Sequence, residues 1–170
     1  MKSLVHFNWQ RGLKMFVVGG ALSLSVINTG SGETLATTAP QKIAKTVDIL
    51  QKSDQRWIQV DLSQQKLIAW EGNKPVYAVA ISSGKESTPT HIGTFKIQSK
   101  YRSTRMRGRG YDMPNVPYAM FYSGNYGIHG AYWHKKFGTP VSRGCVNLAP
   151  NHAKWLFSWA SIGTPVVIQK

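Results

Sequence analysis

The sequence predicts a mostly β domain, an antiparallel sandwich or barrel with one or two short helices. From residue 57 onwards, apolar and polar residues alternate over several short segments, and this period of two is typical of half-buried strands. Turns rich in glycine separate these segments, which favours antiparallel strands over alternating strands and helices. Residues 37–170 suit one domain with a substantial hydrophobic core.

The first residues have the pattern of an export signal. Lys2, Arg11 and Lys14 precede an apolar stretch without acidic residues, 15–27, and a polar region of small residues follows. This order is that of a secretory signal, whereas a membrane span needs about 20 apolar residues. We therefore expect residues 1–36 to be a signal peptide or, alternatively, an uncleaved N-terminal membrane anchor.

The segment that follows, 37–55, is interpreted as a spacer. Its residues are polar and mildly basic, but Ile43, Val47 and Leu50 have the spacing of a short amphipathic helix. The rest of the chain, 56–170, is the predicted folded domain.

From Trp57 the pattern becomes that of strands. Residues 57–62 and 66–70 flank a polar three-residue turn and predict a hairpin. A helix is predicted over 150–159, because proline suits its first turn and its apolar residues share one face. The other predicted strands lie at 76–81, 94–97, 119–122, 126–128 and 165–168.

The segment 99–117 is predicted as a long basic surface loop, because it has glycines, prolines and few residues that could enter a core. Two interpretations stay open, a solvated charged face or a mobile wall over a site for an anionic substrate. The chain has a formal net charge of +14, which attracts polyanions. Export excludes most nucleic acid and favours wall polymer or a membrane surface. The basic residues of the segment are Lys100, Arg102, Arg105, Arg107 and Arg109.

The chain has a single cysteine, Cys145, sixteen positions after His129. A lone cysteine in an exported protein indicates an intermolecular disulfide or a reactive thiol; the alternative is a small buried apolar residue. A thiol becomes a strong nucleophile when a base or a positive charge raises its thiolate fraction. Small and polar neighbours favour a turn around this cysteine over a core strand: Ser142, Arg143, Gly144 and Asn147.

The pattern His129-Gly130, a spacer, and then Ser142-Arg143-Gly144-Cys145-Val146-Asn147 resembles the signature of the L,D-transpeptidases, whose catalytic domain is called YkuD. The block from Gly84 through Thr88-Pro89 to Gly93-Thr94-Phe95 and the first hairpin also resemble that domain. The resemblance covers about residues 56–169. It implies the YkuD fold for residues 56–170.

The resemblance implies a cysteine acyltransferase that acts on peptidoglycan stem peptides. Cys145 would attack a tetrapeptide stem, release D-alanine and hold a thioester. An amine, from a neighbouring stem or from a wall-attached lipoprotein, would then take the acyl group. The expected location is the periplasm or the cell-wall face of the cytoplasmic membrane, with no cofactor and no nucleic acid. An L,D-carboxypeptidase and a non-catalytic basic wall-binding module stay open as alternatives, as does the oligomeric state.

The same resemblance implies roles for the site residues. Cys145 would be the nucleophile, His129 the general base, and the Gly130 carbonyl the group that orients His129. Arg143 would stabilise a substrate carboxylate or the thiolate, or alternatively pack the loop. Backbone N–H groups around Arg143, Gly144 and Cys145 would receive the oxyanion. Ser142 and Asn147, assigned to the same substrate-binding turn, are expected to hold it by side-chain hydrogen bonds rather than to touch substrate.

A metal site is not predicted. His129 and His134 could be combined with Cys145 or His152 as zinc ligands, but their spacing fits no standard zinc pattern and no carboxylate joins them. Three tyrosines could line the cleft, although core packing is the default expectation for them: Tyr111, Tyr122 and Tyr126.

Overall fold

The computed structural model describes residues 38–108 and 110–170, which form two helices and nine strands. The predicted signal segment, 1–36, lies outside the described residues. No helix within the described part is long and apolar enough to cross a membrane. The elements are α1 (Ala39–Gln51), β1 (Arg56–Asp61), β2 (Lys66–Glu71), β3 (Lys74–Ala80), β4 (Gly93–Lys96), β5 (Ser99–Gly108), β6 (Tyr111–Ser123), β7 (Tyr126–Gly130), β8 (Val146–Leu148), α2 (Pro150–Trp159) and β9 (Pro165–Gln169).

The first sheet has five strands in the order β3-β2-β1-β9-β4. Its centre is the predicted hairpin, in which Val60 of β1 lies opposite Leu67 of β2. The closing strand β9 pairs in parallel with β1 and antiparallel with β4. The apolar side chains of β1 and β9 are buried, because the core covers one face of these strands and α1 covers the other.

The second sheet has four strands in the order β5-β6-β7-β8. Its strands are antiparallel except for β7 and β8, which are parallel, with His129 opposite Asn147. Ser82, just after β3, exchanges two backbone hydrogen bonds of 2.9 Å with Asn147. This bridge connects the end of a strand of the first sheet to the strand that follows Cys145.

One hydrophobic core lies between the sheets and beneath α2. The first sheet contributes Ile58, Val60 and Leu67, and the second contributes Met120 and Ile128. The predicted mostly β domain, a sandwich with two short helices, is therefore confirmed, and α2 has the predicted bounds. Strand β8 was not predicted, since three residues are too few to show a period.

The segment interpreted as a spacer contains helix α1. Its start is held by the Thr38 N–H, which donates to Gln41 Oε1 at 2.8 Å. Ile43 and Leu50 are buried on one face of the helix, against Trp57 and Val167 of the first sheet. The expected amphipathic helix is therefore present, and the spacer interpretation is corrected, because the helix covers part of the domain's core.

The predicted basic loop is instead a hairpin, β5 and β6, which we call the basic hairpin (residues 99–123). Thr104 lies opposite Val116, and Arg107 lies opposite Asp112. The loop prediction was wrong because most side chains in the outer part of the hairpin are at least partly exposed. A ribbon without a buried face shows no apolar alternation, and its backbone pairing alone defines the strands.

Candidate active site

Strand β7 and the turn before β8 bring His129 and Cys145 into one cavity. His129 in β7 lies opposite Asn147 in β8. Cys145 lies in the turn directly before β8. All three residues line a single cavity of about 140 Å³.

His129 is held as a neutral base. Its side chain is only 3% exposed, and its Nδ1 lies 3.0 Å from the Gly130 carbonyl oxygen. A carbonyl only accepts, so Nδ1 carries the hydrogen and Nε2 keeps a free lone pair. Burial lowers the pKa of His129 to about 4, against the hydrogen bond to Gly130 and aided by nearby His134. The ring is therefore uncharged at neutral pH and able to accept a proton.

Cys145 is a free, partly exposed thiol. Its Sγ lies 3.6 Å from the Asn125 carbonyl oxygen. Burial raises the pKa of Cys145, and a backbone hydrogen bond from Gly127 acts in the opposite direction. The thiol thus keeps its proton at neutral pH until a base removes it.

Side-chain hydroxyl groups hold the cysteine turn in place. Ser142 Oγ donates to the Cys145 carbonyl oxygen and accepts the Gly144 N–H at 3.0 Å. Thr90 Oγ1 donates to the Gly144 carbonyl oxygen at 2.9 Å and accepts the Gly84 N–H at 2.8 Å. The Gly144 N–H is already hydrogen-bonded to Ser142 Oγ. The backbone N–H groups of this turn that remain for an oxyanion are those of Arg143 and Cys145.

Gly144 has a backbone that a side chain would disturb. Its φ is +112°, and an added Cβ would lie 2.5 Å from the Tyr126 ring. We expect Gly144→Ala to lower stability by about 1–3 kcal/mol through backbone strain. The contact with Tyr126 should also displace the turn that carries the thiol. Reaction of Cys145 with an acylating reagent should then be slower by roughly a hundredfold. Chemical denaturation and intact-mass kinetics measure the two effects.

Gly163→Ala is the matched control for that variant. Gly163 also has a positive φ, +89°, but no atom lies within 4 Å of an added Cβ there. It should therefore lose stability without slower acylation. Equal acylation rates for Gly144→Ala and wild type would show that the close approach to Tyr126 does not position the thiol.

The basic hairpin forms one wall of the cavity, through Met106, Tyr111 and Met113. Arg143 is exposed and connects the cysteine turn to this wall, with its guanidinium carbon 4.9 Å from the Tyr111 ring centroid. Its Nη2 donates to the Gly110 carbonyl oxygen at 3.4 Å. Of the two interpretations of the basic segment, the structure favours a wall over a site.

Several residues around the site were not identified from the sequence. Trp133 lines the cavity and its ring centroid lies 5.8 Å from that of His129. The sequence signal for Trp133 was its position four residues after His129, in a loop, where an exposed tryptophan is unusual. Thr90 and the methionines Met106 and Met113 gave no distinctive signal, because only their distant pairing partners place them here.

The other predicted candidates lie in different surroundings. Tyr126 packs against the cysteine turn, whereas Tyr122 is buried in the core, where its Oη has no partner among the described residues. His152 lies on α2, with its Nδ1 2.6 Å from Tyr77 Oη. Among residues 38–108 and 110–170, no group of three or more His, Cys, Asp or Glu side chains could hold a metal ion.

Comparisons with known proteins identify the family of the chain. The family model of the L,D-transpeptidase catalytic domain, YkuD, matches residues 55–168. L,D-transpeptidase 1 of Mycobacterium tuberculosis is 35% identical over 100 residues, which cover 51% of this chain and 39% of that protein. This chain therefore spans about two fifths of the length of that relative.

Solved structures share the fold. The catalytic domain of the E. faecium L,D-transpeptidase, solved by NMR, is 31% identical, with a TM-score of 0.62 over 68% of this chain and 98% of that one. The L,D-transpeptidase LdtMt1, solved in complex with imipenem, is 28% identical, with a TM-score of 0.65 over 68% of this chain and 59% of that one. Since the family model covers more than half of the chain, including both Cys145 and His129, the chain belongs to the L,D-transpeptidase family with a YkuD catalytic domain.

Proposed function

We propose that the protein is a peptidoglycan L,D-transpeptidase with Cys145 as its nucleophile. The observation that carries this proposal is the placement of Cys145 and a neutral, buried His129 in one cavity. Family membership supports it. A non-catalytic wall-binding module would have no need for a base oriented in this way beside the thiol.

In the first half-reaction His129 Nε2 takes the proton of the Cys145 thiol, and the sulfur attacks the carbonyl carbon of the third residue of a tetrapeptide stem. Backbone N–H groups of Arg143 and Cys145 stabilise the oxyanion. When the C–N bond to the terminal D-alanine breaks, His129 returns the proton to the leaving amine. A thioester on Cys145 results.

In the second half-reaction an acceptor amine attacks the thioester. His129 takes a proton from the amine, the C–S bond breaks, and the proton goes to the Cys145 sulfur, which restores the starting state. An amine of a neighbouring stem yields a 3→3 cross-link, a lysine of a wall-attached lipoprotein yields an attached protein, and water yields the tripeptide of a carboxypeptidase.

The location and anchoring of the protein are part of the proposal. The charged, apolar and small-residue order of residues 1–36 supports export to the periplasm or to the cell-wall face of the cytoplasmic membrane. The same segment would anchor the protein to the membrane if it were not cleaved. Peptidoglycan is accessible in either location.

Product analysis tests the proposal. Purified protein is incubated with a disaccharide-tetrapeptide, and the products are weighed by mass spectrometry, with Cys145→Ala alongside. We expect wild type to release D-alanine and to form dimer, and Cys145→Ala to form neither. Tripeptide alone would assign the protein as a carboxypeptidase. Equal products from the two proteins would contradict the nucleophile assignment.

The basic hairpin supports an anionic polymer as substrate. Arg105 forms an ion pair with Asp112, and Arg107 Nε lies 3.7 Å from the same carboxylate, so one negative charge offsets two positive ones. Arg102 is exposed on the same hairpin. The net positive charge of the hairpin attracts the carboxylates of peptidoglycan.

Replacing Arg102, Arg105 and Arg107 with glutamine should raise KM for polymeric peptidoglycan roughly tenfold at low salt, because the hairpin then attracts the anionic polymer less strongly. The salt dependence of KM should weaken too, because salt screens exposed charges. Steady-state kinetics at two ionic strengths measure both effects. The matched control removes three exposed lysines on α1 and β3, outside the hairpin: Lys42, Lys45 and Lys74. An equal rise in KM there would exclude a specific role for the hairpin.

A further inference from the structure

Asn147 and His134 form a polar pair at the edge of the active-site cavity. The amide nitrogen Nδ2 of Asn147 lies 3.0 Å from Nε2 of His134. Asn147 is 3% exposed and lines the same cavity as Cys145 and His129. Asn147 therefore lies where a bound stem peptide would be held, and His134 contacts its amide.

The second ring nitrogen of His134 determines where the ring carries its hydrogen. His134 Nδ1 accepts the backbone N–H of Lys136 at 3.2 Å. A backbone N–H can only donate, so Nδ1 has no hydrogen, and an uncharged imidazole then carries its single hydrogen on Nε2. Burial, together with the Lys136 charge, lowers the pKa of His134 and keeps the ring uncharged at neutral pH. His134 Nε2 is therefore a donor towards Asn147.

A donor on His134 requires an acceptor on Asn147. An amide nitrogen cannot accept a hydrogen bond, whereas the amide oxygen can. With Nδ2 next to His134, two donors would meet, and Oδ1 would stay buried without a partner among the described residues. The two orientations of an amide have nearly the same shape, so the hydrogen-bond network decides between them. A half-turn of the amide places Oδ1 against His134 Nε2–H, and Nδ2 then takes the buried position that has no partner among the described residues.

We infer that His134 is a positioning residue that holds Asn147 with its amide NH₂ available as a hydrogen-bond donor to the active-site cavity. The inference rests on the proposed function. An NH₂ group selects an acceptor atom, so the substrate group beside Asn147 is a carbonyl or carboxylate oxygen of a stem peptide. The opposite orientation would select an N–H group, such as the amine of the acyl acceptor.

The ring tautomer is tested directly on the wild-type protein. Nitrogen-15 NMR of the imidazole groups should show His134 with its hydrogen on Nε2, and His134→Gln identifies the signal by its loss. A hydrogen on Nδ1 would overturn the inference. This measurement does not depend on the folding of any variant.

Kinetics test the effect on substrate. His134→Phe keeps a ring but removes the donor, and should raise KM for the tetrapeptide substrate roughly tenfold, a typical loss for one oriented hydrogen bond. His134→Gln keeps an N–H donor and should recover most of that loss. Asn147→Ala should raise KM by a similar factor, and His134→Phe should add nothing in the Asn147→Ala background, because both changes remove one interaction.

Two results separate this inference from the proposed function. If Cys145→Ala turns over the tetrapeptide as wild type does, the proposed function fails whatever the tautomer of His134. If wild type is active, Cys145→Ala is inactive and His134→Phe has the wild-type KM, the role of His134 fails while the nucleophile assignment stands. Additive effects of His134→Phe and Asn147→Ala would also overturn the inference.

Discussion

Imipenem is expected to add once to the wild-type protein, at Cys145, and not at all to Cys145→Ala. Attack by sulfur on the β-lactam carbonyl forms a thioester and breaks the ring C–N bond, and the ring nitrogen takes the proton that His129 removed from the thiol. No fragment has to leave in this step, so the mass of the protein should rise by that of the whole inhibitor. The relative LdtMt1 was solved in complex with this compound.

Intact-mass spectrometry followed by peptide mapping measures the adduct and its position. Cys145→Ser is the matched control, because it keeps the size of the side chain but replaces the thiol with a much less acidic hydroxyl. It should remain unmodified over the time in which wild type reacts completely. A wild-type protein that stays unmodified, or an adduct that persists in Cys145→Ala, would rule out the thiol as the reactive group.

His129→Gln should slow imipenem acylation of Cys145 by about 10²–10⁴-fold, the usual contribution of a general base. Burial raises the pKa of the thiol, so few molecules hold a thiolate at neutral pH unless a base removes the proton. Stopped-flow or quenched mass-spectrometric kinetics measure the rate. His152→Gln is the control. His152 lies on α2, where its ring contacts Tyr77 of β3, and it does not line the cavity.

The same pair of proteins should differ in pH dependence. Wild-type acylation should fall as the pH drops through about 4, because His129 becomes protonated there and can no longer accept the thiol proton. In His129→Gln the residual rate should lack this fall. A wild-type midpoint at the ordinary histidine pKa of about 6.5 would show that the ring is not as buried during the reaction as the structure has it.

The predictability of the fold depended on how each element is buried. The hairpin of β1 and β2 has one buried face, so its residues alternate and its bounds were recognisable. Helix α2 begins at a proline and has one apolar face, and both signals are local. The basic hairpin pairs two strands that bury little apolar surface. It is defined by backbone pairing between residues such as Thr104 and Val116. No single-strand pattern reports such pairing.

The site residues also differed in how far the sequence alone could identify them. Cys145 and His129 were recognisable because their chemistry is rare and their motif is continuous in sequence. Thr90 was not, because its role depends on a contact with Gly144, fifty-four positions later. The oxyanion assignment also needed the structure, since only the Ser142 contact shows that the Gly144 N–H is already engaged.

Helix α1 has a consequence for the processing of the chain. Its first turn uses Thr38 and Gln41, and its Ile43 and Leu50 shield Trp57, which is fully buried. A mature form trimmed to the family boundary near residue 55 would present that indole to water and invite aggregation. Cleavage of the proposed signal segment, 1–36, would leave this helix whole, and recombinant versions intended for crystallisation should likewise begin upstream of Thr38.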